Sequence, residues 1–168
     1  MKKILLISDT HSYLDPRINK HIDACDEVWH AGDIGDISLT DKIKNIKPLI
    51  AVYGNIDDQK VRSEFKKDEI FYCEKVKVFI THIGGYPPNY TPALTRKMEE
   101  IRPQLFICGH SHILKVMHDK RLNCLHMNPG ALGTHGFHHV QTALKFEIDG
   151  DKIQNLQIIE LTRSKNLS

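Results

Sequence analysis

The sequence predicts an α/β protein, and three observations carry that reading. Apolar, strand-like runs alternate with helix-like segments through the first two thirds of the chain, whereas the last third reads as strands alone. Five of the apolar runs are followed within a few residues by carboxylate, carboxamide or imidazole side chains. The alternation implies parallel strands with helical crossovers, and the closing strands imply a second, largely antiparallel sheet.

Ile4-Leu5-Leu6-Ile7 is a continuous aliphatic run, as a strand covered on both faces requires. Asp15-Pro16 then offers an N-cap before a proline suited to the first turn, and Ile18, Ile22 and Cys25 recur at helical spacing, which predicts a helix over 16–24. Val28-Trp29-His30-Ala31 runs into Gly32-Asp33. Ile37, Leu39, Ile43 and Ile46 form a loosely amphipathic helix stopped by Pro48, and Leu49-Ile50-Ala51-Val52 runs into Gly54-Asn55. After a charged stretch over 57–69, strand patterns cover 69–73 and 76–81, the second ending at His82. Two glycines and two prolines in Gly84-Gly85-Tyr86-Pro87-Pro88-Asn89 enforce a loop. Thr91-Pro92 opens a helix with Leu94, Met98 and Ile101 on one face, stopped by Pro103, and Leu105-Phe106-Ile107-Cys108 leads into Gly109-His110-Ser111-His112. Strand patterns follow over 113–118, 122–126, 140–148 and 152–160, the last two joined by the turn signal Asp149-Gly150-Asp151. The 168 residues suit one domain over 1–162, hiding roughly 70% of the extended-chain surface, with 163–168 a frayed tail.

Lys+Arg 23 against Asp+Glu 21 gives a net charge of +2, with no basic stripe of the kind nucleic-acid binding demands. The expected partner is a small molecule or another protein, and self-association is compatible with the composition. Only four apolar residues follow Met-Lys-Lys, too few for a signal core or a membrane span. Cys25, Cys73, Cys108 and Cys124 form no C-x-x-C pair, so reduced thiols and a cytoplasmic location are expected, with no membrane partner.

Histidine is the compositional anomaly: eleven in the chain, seven of them between His110 and His139. Those that follow strands join Asp9, His11, Asp33, Asn55, His82, His110 and His112 into one set. In α/β sheets, ligands bind beyond the carboxyl ends of the strands, so these positions can converge. Glycine directly precedes Asp33, Asn55 and His110, which would let the backbone turn sharply and approach the site closely. Two carboxylates, one carboxamide and four imidazoles without a thiolate suit two borderline divalent ions such as Mn²⁺, Fe²⁺, Ni²⁺ or Zn²⁺, of which Mn²⁺ is the expected one. Asp33, central in chain order, is the expected bridge. Such a pair can polarise a phosphoryl oxygen and acidify a water to hydroxide at neutral pH.

Asp9-x-His11, Gly32-Asp33, Gly54-Asn55, His82 and Gly109-His110-x-His112, with Asn128-Pro129-Gly130 beyond, resemble the ordered motifs of the calcineurin-like metallophosphoesterase superfamily, in its compact bacterial and archaeal phosphodiesterase branch. The resemblance implies a four-layer α/β/β/α sandwich of two mixed sheets flanked by helices. It also implies a dinuclear site: Asp9, His11, Asp33 and His112 on one ion, Asp33, Asn55, His82 and His110 on the other. Asp33, Asn55 and His82 are the candidate catalytic residues, and the implied activity is hydrolysis of a small phosphodiester, with a nucleotide or cyclic nucleotide as candidate. A protein-interaction scaffold of the same fold, as in the retromer coat, and a phosphomonoesterase are the alternatives. Larger members carry a histidine after the asparagine where Ile56 stands here; Asp57, Asp58 or a histidine of 135–139 could replace it.

The remaining candidates have plainer readings. His21, His30, His118 and His126 read as surface or packing residues, and His135, His138 and His139 as a solvated loop rather than a substrate-contacting one. Tyr86, Tyr90 and Phe137 could stack on a base but read as loop packing. Lys60, Arg62, Lys66 and Lys67, interspersed with Glu64 and Asp68, read as a solvated face outside the site.

Overall fold

A computed structural model describes residues 1–163. In chain order the elements are β1 (Lys2–Ile7), a 3-10 turn (Pro16–Ile18), α1 (Asn19–Ala24), β2 (Glu27–His30), α2 (Ile37–Lys44), β3 (Leu49–Ala51) and α3 (Gln59–Glu64). Then come β4 (Asp68–Cys73), β5 (Val76–Thr81), α4 (Pro92–Ile101), β6 (Leu105–Ile107), β7 (Leu114–Asp119), β8 (Cys124–Pro129), β9 (Val140–Asp149) and β10 (Lys152–Thr162). Asp15, Asp36, Asp58 and Thr91 cap helical N-termini through their side chains.

Two five-stranded sheets result, ordered β10-β9-β1-β2-β3 and β4-β5-β6-β8-β7. Both are mixed: β1, β2 and β3 run parallel in the first, as do β5, β6 and β8 in the second, with antiparallel strands outside. The antiparallel strands are therefore divided between the sheets. The hairpin predicted at Asp149-Gly150-Asp151 forms, but β9 pairs with β1 and extends the first sheet. Pairing at a distance overrode chain order there. The charged stretch also hides α3, whose single buried apolar residue, Val61, leaves no periodic signal.

Alternation within each strand builds the layers. Ile4 and Leu6 face the second sheet, meeting Val78, Ile80 and Ile107 in the central core, while Leu5 and Ile7 pack outward with Ile22 of α1 and Ile43 of α2. Phe79 and Phe106 emerge on the far side of the second sheet, under Met98 of α4. The order is helices, sheet, sheet, helix, as the resemblance implied. Full burial of each such side chain is worth about 1.5–3 kcal/mol. Of the expected tail, Arg163 belongs to the folded body, donating to the carbonyls of His138 (2.9 Å) and Gly136 (3.2 Å); residues 164–168 lie outside the described residues.

Two histidines read as surface or packing are buried. His30 accepts from the Gly32 N–H at Nδ1 (3.1 Å) and bonds Thr10 Oγ1 at Nε2 (2.9 Å), while His126 meets the Tyr90 hydroxyl (2.9 Å). Burial, the leading cause in both, pushes their pKa values down to about 3 and about 4. In the unfolded chain both take up protons near the ordinary histidine value, about 6.5, so the unfolded state binds more protons below that pH. Their contribution to stability is therefore complete above about pH 6.5 and is lost as pH falls toward the folded values, with a limiting slope of about 1.4 kcal/mol per pH unit for each histidine. Urea unfolding of metal-free protein at pH 7.5 and pH 5 should show this loss. His126→Gln should reduce the slope by about one proton, and equal slopes in both proteins would refute the assignment.

Candidate metal centre

All six parallel strands point their carboxyl ends toward one edge of the sandwich, and the loops leaving them interlock. Asp9 N–H donates to Gly32 O (2.9 Å), His11 N–H to Asp33 O (3.1 Å), Gly109 N–H to His82 O (2.9 Å) and Gly133 N–H to Asp9 O (3.1 Å). Five of the seven expected ligands adopt left-handed backbone conformations: Asp9 (φ 53°), His11 (45°), Asp33 (55°), His110 (72°) and His112 (64°). For residues with a Cβ this costs on the order of 1 kcal/mol each, and it turns successive side chains into a common hollow.

The structure brings the seven residues together. Two groups of three hold their ligand atoms within 4.8 Å of one another: Asp9, His11 and His112, and Asp33, His82 and His110. Asp33 Oδ2 lies 3.2 Å from His82 Nε2 and 3.5 Å from His11 Nε2, so this carboxylate touches both groups. Asp9 Oδ1 lies 3.3 Å from His112 Nε2. Asn55 joins through Oδ1, 3.1 Å from His110 Nδ1. His82 Nδ1–H donates to Ala31 O at 2.7 Å, which leaves Nε2 as the ring's lone pair, facing the carboxylates.

Among the described residues, Asp9 Oδ1, His11 Nε2 and His82 Nε2 are buried without a hydrogen-bond partner, and they converge on this hollow. A buried polar atom without a partner carries a desolvation cost, and divalent cations fit this donor set of carboxylate oxygen, carboxamide oxygen and imidazole nitrogen. The electrostatics agree. Burial pulls the His82 pKa down, but Asp33 and Asp9 outweigh it and the net shift is upward. Contact with Asp9 raises His112, whereas burial lowers His11. Asp33 falls despite its burial, because His82 and the Ile56 N–H stabilise the carboxylate.

Close approach is what the glycines provide. A Cβ on Gly54 would stand 2.1 Å from Asp33 Oδ1, and one on Gly109 would stand 2.2 Å from Ser8 Oγ and 2.7 Å from Asp9 Oδ2. Of the three glycines preceding ligands, only Gly32 (φ 100°) also makes the positive-φ turn.

The surroundings revise several sequence readings. Asp57 is no free acid: it is buried and accepts the N–H groups of Gly54 (2.7 Å), Gly35 (2.8 Å) and Ile34 (3.2 Å), tying two ligand loops together. Asp58 is committed as the cap of α3. The histidine loop is part of the site's surroundings, not simply solvated: His135 stacks on His11 (centroids 4.5 Å apart), and His138 meets His112 edge-on (5.4 Å). Arg62 also belongs here, donating to Asn55 O (3.2 Å) and Asp57 O (2.7 Å); its position behind Asn55 follows from α3, which the sequence concealed. Exposed Ile56, Ile83 and Ile113 each directly follow an expected ligand, and Phe137 sits fully exposed in the histidine loop.

Known proteins share this fold. The calcineurin-like phosphoesterase superfamily domain matches residues 1–151. A Methanocaldococcus jannaschii protein named "Probable metallophosphoesterase MJ0623" is 27% identical over 132 residues, covering 75% of this chain and 66% of that protein, just under two thirds of its length. Among solved structures, one titled as a novel archaeal phosphodiesterase superposes with a TM-score of 0.74 at 23% identity, covering 95% of this chain and 99% of the other. Vps29 from Entamoeba histolytica complexed with zinc gives a TM-score of 0.74 at 15% identity, covering 95% and 98%. At such identities the two structures establish a shared fold.

Because His82 and His112 hold protons above the ordinary range, metal binding must displace them, and affinity should rise between pH 6 and pH 8. Calorimetry with Mn²⁺ or Zn²⁺ in buffers of different ionisation enthalpy checks both the proton release and its direction. Gly54→Ala, which forces Asp33 to move, should weaken binding about tenfold or more, as seen when the support of a metal ligand is lost. An unchanged affinity would show that Asp33 is not a ligand.

Proposed function

The chain belongs to the calcineurin-like phosphoesterase superfamily, and from that premise we propose that it is a metal-dependent phosphodiesterase acting on a small phosphodiester. The observation that carries this reading is the convergence of three buried, unpartnered ligand atoms, Asp9 Oδ1, His11 Nε2 and His82 Nε2, in two adjoining groups. Asp9, His11, Asp33 and His112 would hold one divalent ion, and Asp33, Asn55, His82 and His110 the other; this donor set is compatible with Mn²⁺, which we propose, and with Ni²⁺, Fe²⁺ or Zn²⁺. Such ions, when bound, supply Lewis acidity toward a phosphoryl oxygen and acidify a water at neutral pH.

The chain's own groups do the positioning. The Ile56 N–H holds Asp33 Oδ1 (3.1 Å), so Oδ2 stays turned toward both histidine groups. Ala31 O fixes the His82 tautomer, and Asn55, with Oδ1 on His110, keeps its NH₂ as a donor for a phosphoryl oxygen. Ile56, Ile83, Ile113 and Phe137 give the two organic substituents of a diester apolar surface to rest on, which favours a diester over a monoester. Four buried free cysteines suit the cytoplasm to which we assign the protein, and no helix among the described residues is long and apolar enough to cross a membrane.

The same apolar rim favours one second reading, a scaffold that docks another protein over the metal centre. Hydrolysis of bis(p-nitrophenyl) phosphate and p-nitrophenyl phosphate, by protein stripped of metal and reloaded with single ions, separates the two. A phosphodiesterase cleaves the diester faster, and Asp33→Asn loses on the order of a hundredfold or more, since even groups behind a ligand are worth 10–100-fold. Metal binding without turnover of either ester would favour the scaffold.

A further inference from the structure

A cavity of about 350 Å³ opens beside the second ligand group, lined by Tyr53, Asn55, Arg62, Lys67, His82 and Ile83 among others. Two of these, Asn55 and His82, are expected ligands, so whatever fills the cavity adjoins the second ligand group. Beside the neutral hydroxyls of Tyr53 and Thr81, the cavity's other charged lining, Arg62 and Lys67, is cationic. Arg62 is held in place: Nε donates to Asp57 O, Nη2 donates to Asn55 O, and the guanidinium lies 4.8 Å over the Tyr53 ring. Among the described residues, no group accepts from its Nη1.

Four acids of this stretch, Asp57, Asp58, Glu64 and Asp68, are committed elsewhere, and Glu69 enters no ion pair among the described residues. Glu64 pairs with Lys44 from α2, and Asp68 pairs with Lys97 from α4 while accepting from Thr81 Oγ1 (2.6 Å). Asp57 and Asp58 are committed to backbone N–H groups. Among the described residues, neither Arg62 nor Lys67 enters an ion pair. A pinned guanidinium and an unpaired ammonium facing one cavity suit a phosphate-type anion, the first by its planar donor fork and the second as a point charge.

We propose that Arg62 and Lys67 form a subsite for a second phosphate group carried by the diester substrate, an inference that rests on the phosphodiesterase reading. The substrate class is then a phosphodiester with an additional phosphate a few bonds from the scissile one.

Thymidine 5′-(p-nitrophenyl phosphate) and its 3′-phosphorylated derivative share scissile bond and leaving group and differ by that phosphate. The Mn²⁺-loaded protein should show about a tenfold or greater kcat/KM preference for the phosphorylated ester, since a hydrogen bond to a charged group is typically worth that much. Arg62→Gln and Lys67→Gln should each erase most of the preference, and Lys67→Arg should restore it. Equal kcat/KM for the two esters, or a preference that survives both glutamine variants, overturns the subsite. If neither ester turns over with any ion, the phosphodiesterase reading fails, and calorimetry with thymidine 3′,5′-bisphosphate on metal-free protein decides the subsite separately. Affinity about tenfold weaker in either glutamine variant supports it; no binding, or equal affinity in all three proteins, overturns it.

Discussion

The architecture of the mouth depends on how the Asp9 carboxylate divides its two oxygens. Oδ2 accepts from Ser8 Oγ (2.6 Å) in the loop after β1 and from the His110 N–H (3.0 Å) in the loop after β6, so one oxygen joins the two sheets where their loops meet. Oδ1 has no hydrogen bond and faces His11, His82 and His112. A carboxylate with both oxygens satisfied by backbone would be a structural clamp, as Asp57 is. One with neither satisfied would not survive full burial without a large penalty. The split lets a single residue brace the sandwich and still leave a lone pair available.

That arrangement works against local stability and is held by the rest of the fold. Left-handed turns at five ligands and unpaired buried atoms each raise the energy of the edge. Three apolar clusters, one between the sheets and one on each outer face, anchor the strands from which these loops spring. The loops are consequently short and mutually bonded, and their geometry is inherited from parallel strands that are buried on both faces.

The legible parts of the sequence were those where one physical requirement dominates a short window. Continuous aliphatic runs mark doubly buried strands, Asp15-Pro16 and Thr91-Pro92 mark helix starts, and the ordered residues after each strand mark the site. Sheet membership was not legible in this way. Whether β9 pairs with β1 or with a neighbour of β8 depends on contacts more than a hundred residues apart, which no local pattern records. Arg62 was misread for a related reason: Glu64 and Asp68 stand near it in sequence, yet their partners Lys44 and Lys97 come from other elements. His135 stacks on His11 across more than a hundred positions, and the glycines around it read equally well as an ordinary solvated loop.

Ile56 shows how such commitments shape the chemistry. By its resemblance to larger superfamily members, the chain would be expected to carry a histidine after the asparagine; the acids nearest Ile56 in sequence are Asp57 and Asp58. Asp57 accepts three backbone N–H groups from the loops after β2 and β3, so protonating it would release the geometry that holds Asp33. Asp58 sits at the start of α3, where protonation would cost the helix its cap. Neither can give up a proton to a leaving oxygen without disturbing the site that the reaction needs. On this side of the centre the chain offers the aliphatic Ile56 and the pinned Arg62 guanidinium. Under the phosphodiesterase reading, the substrates that suffer least from this are those whose leaving group departs as an anion without a proton.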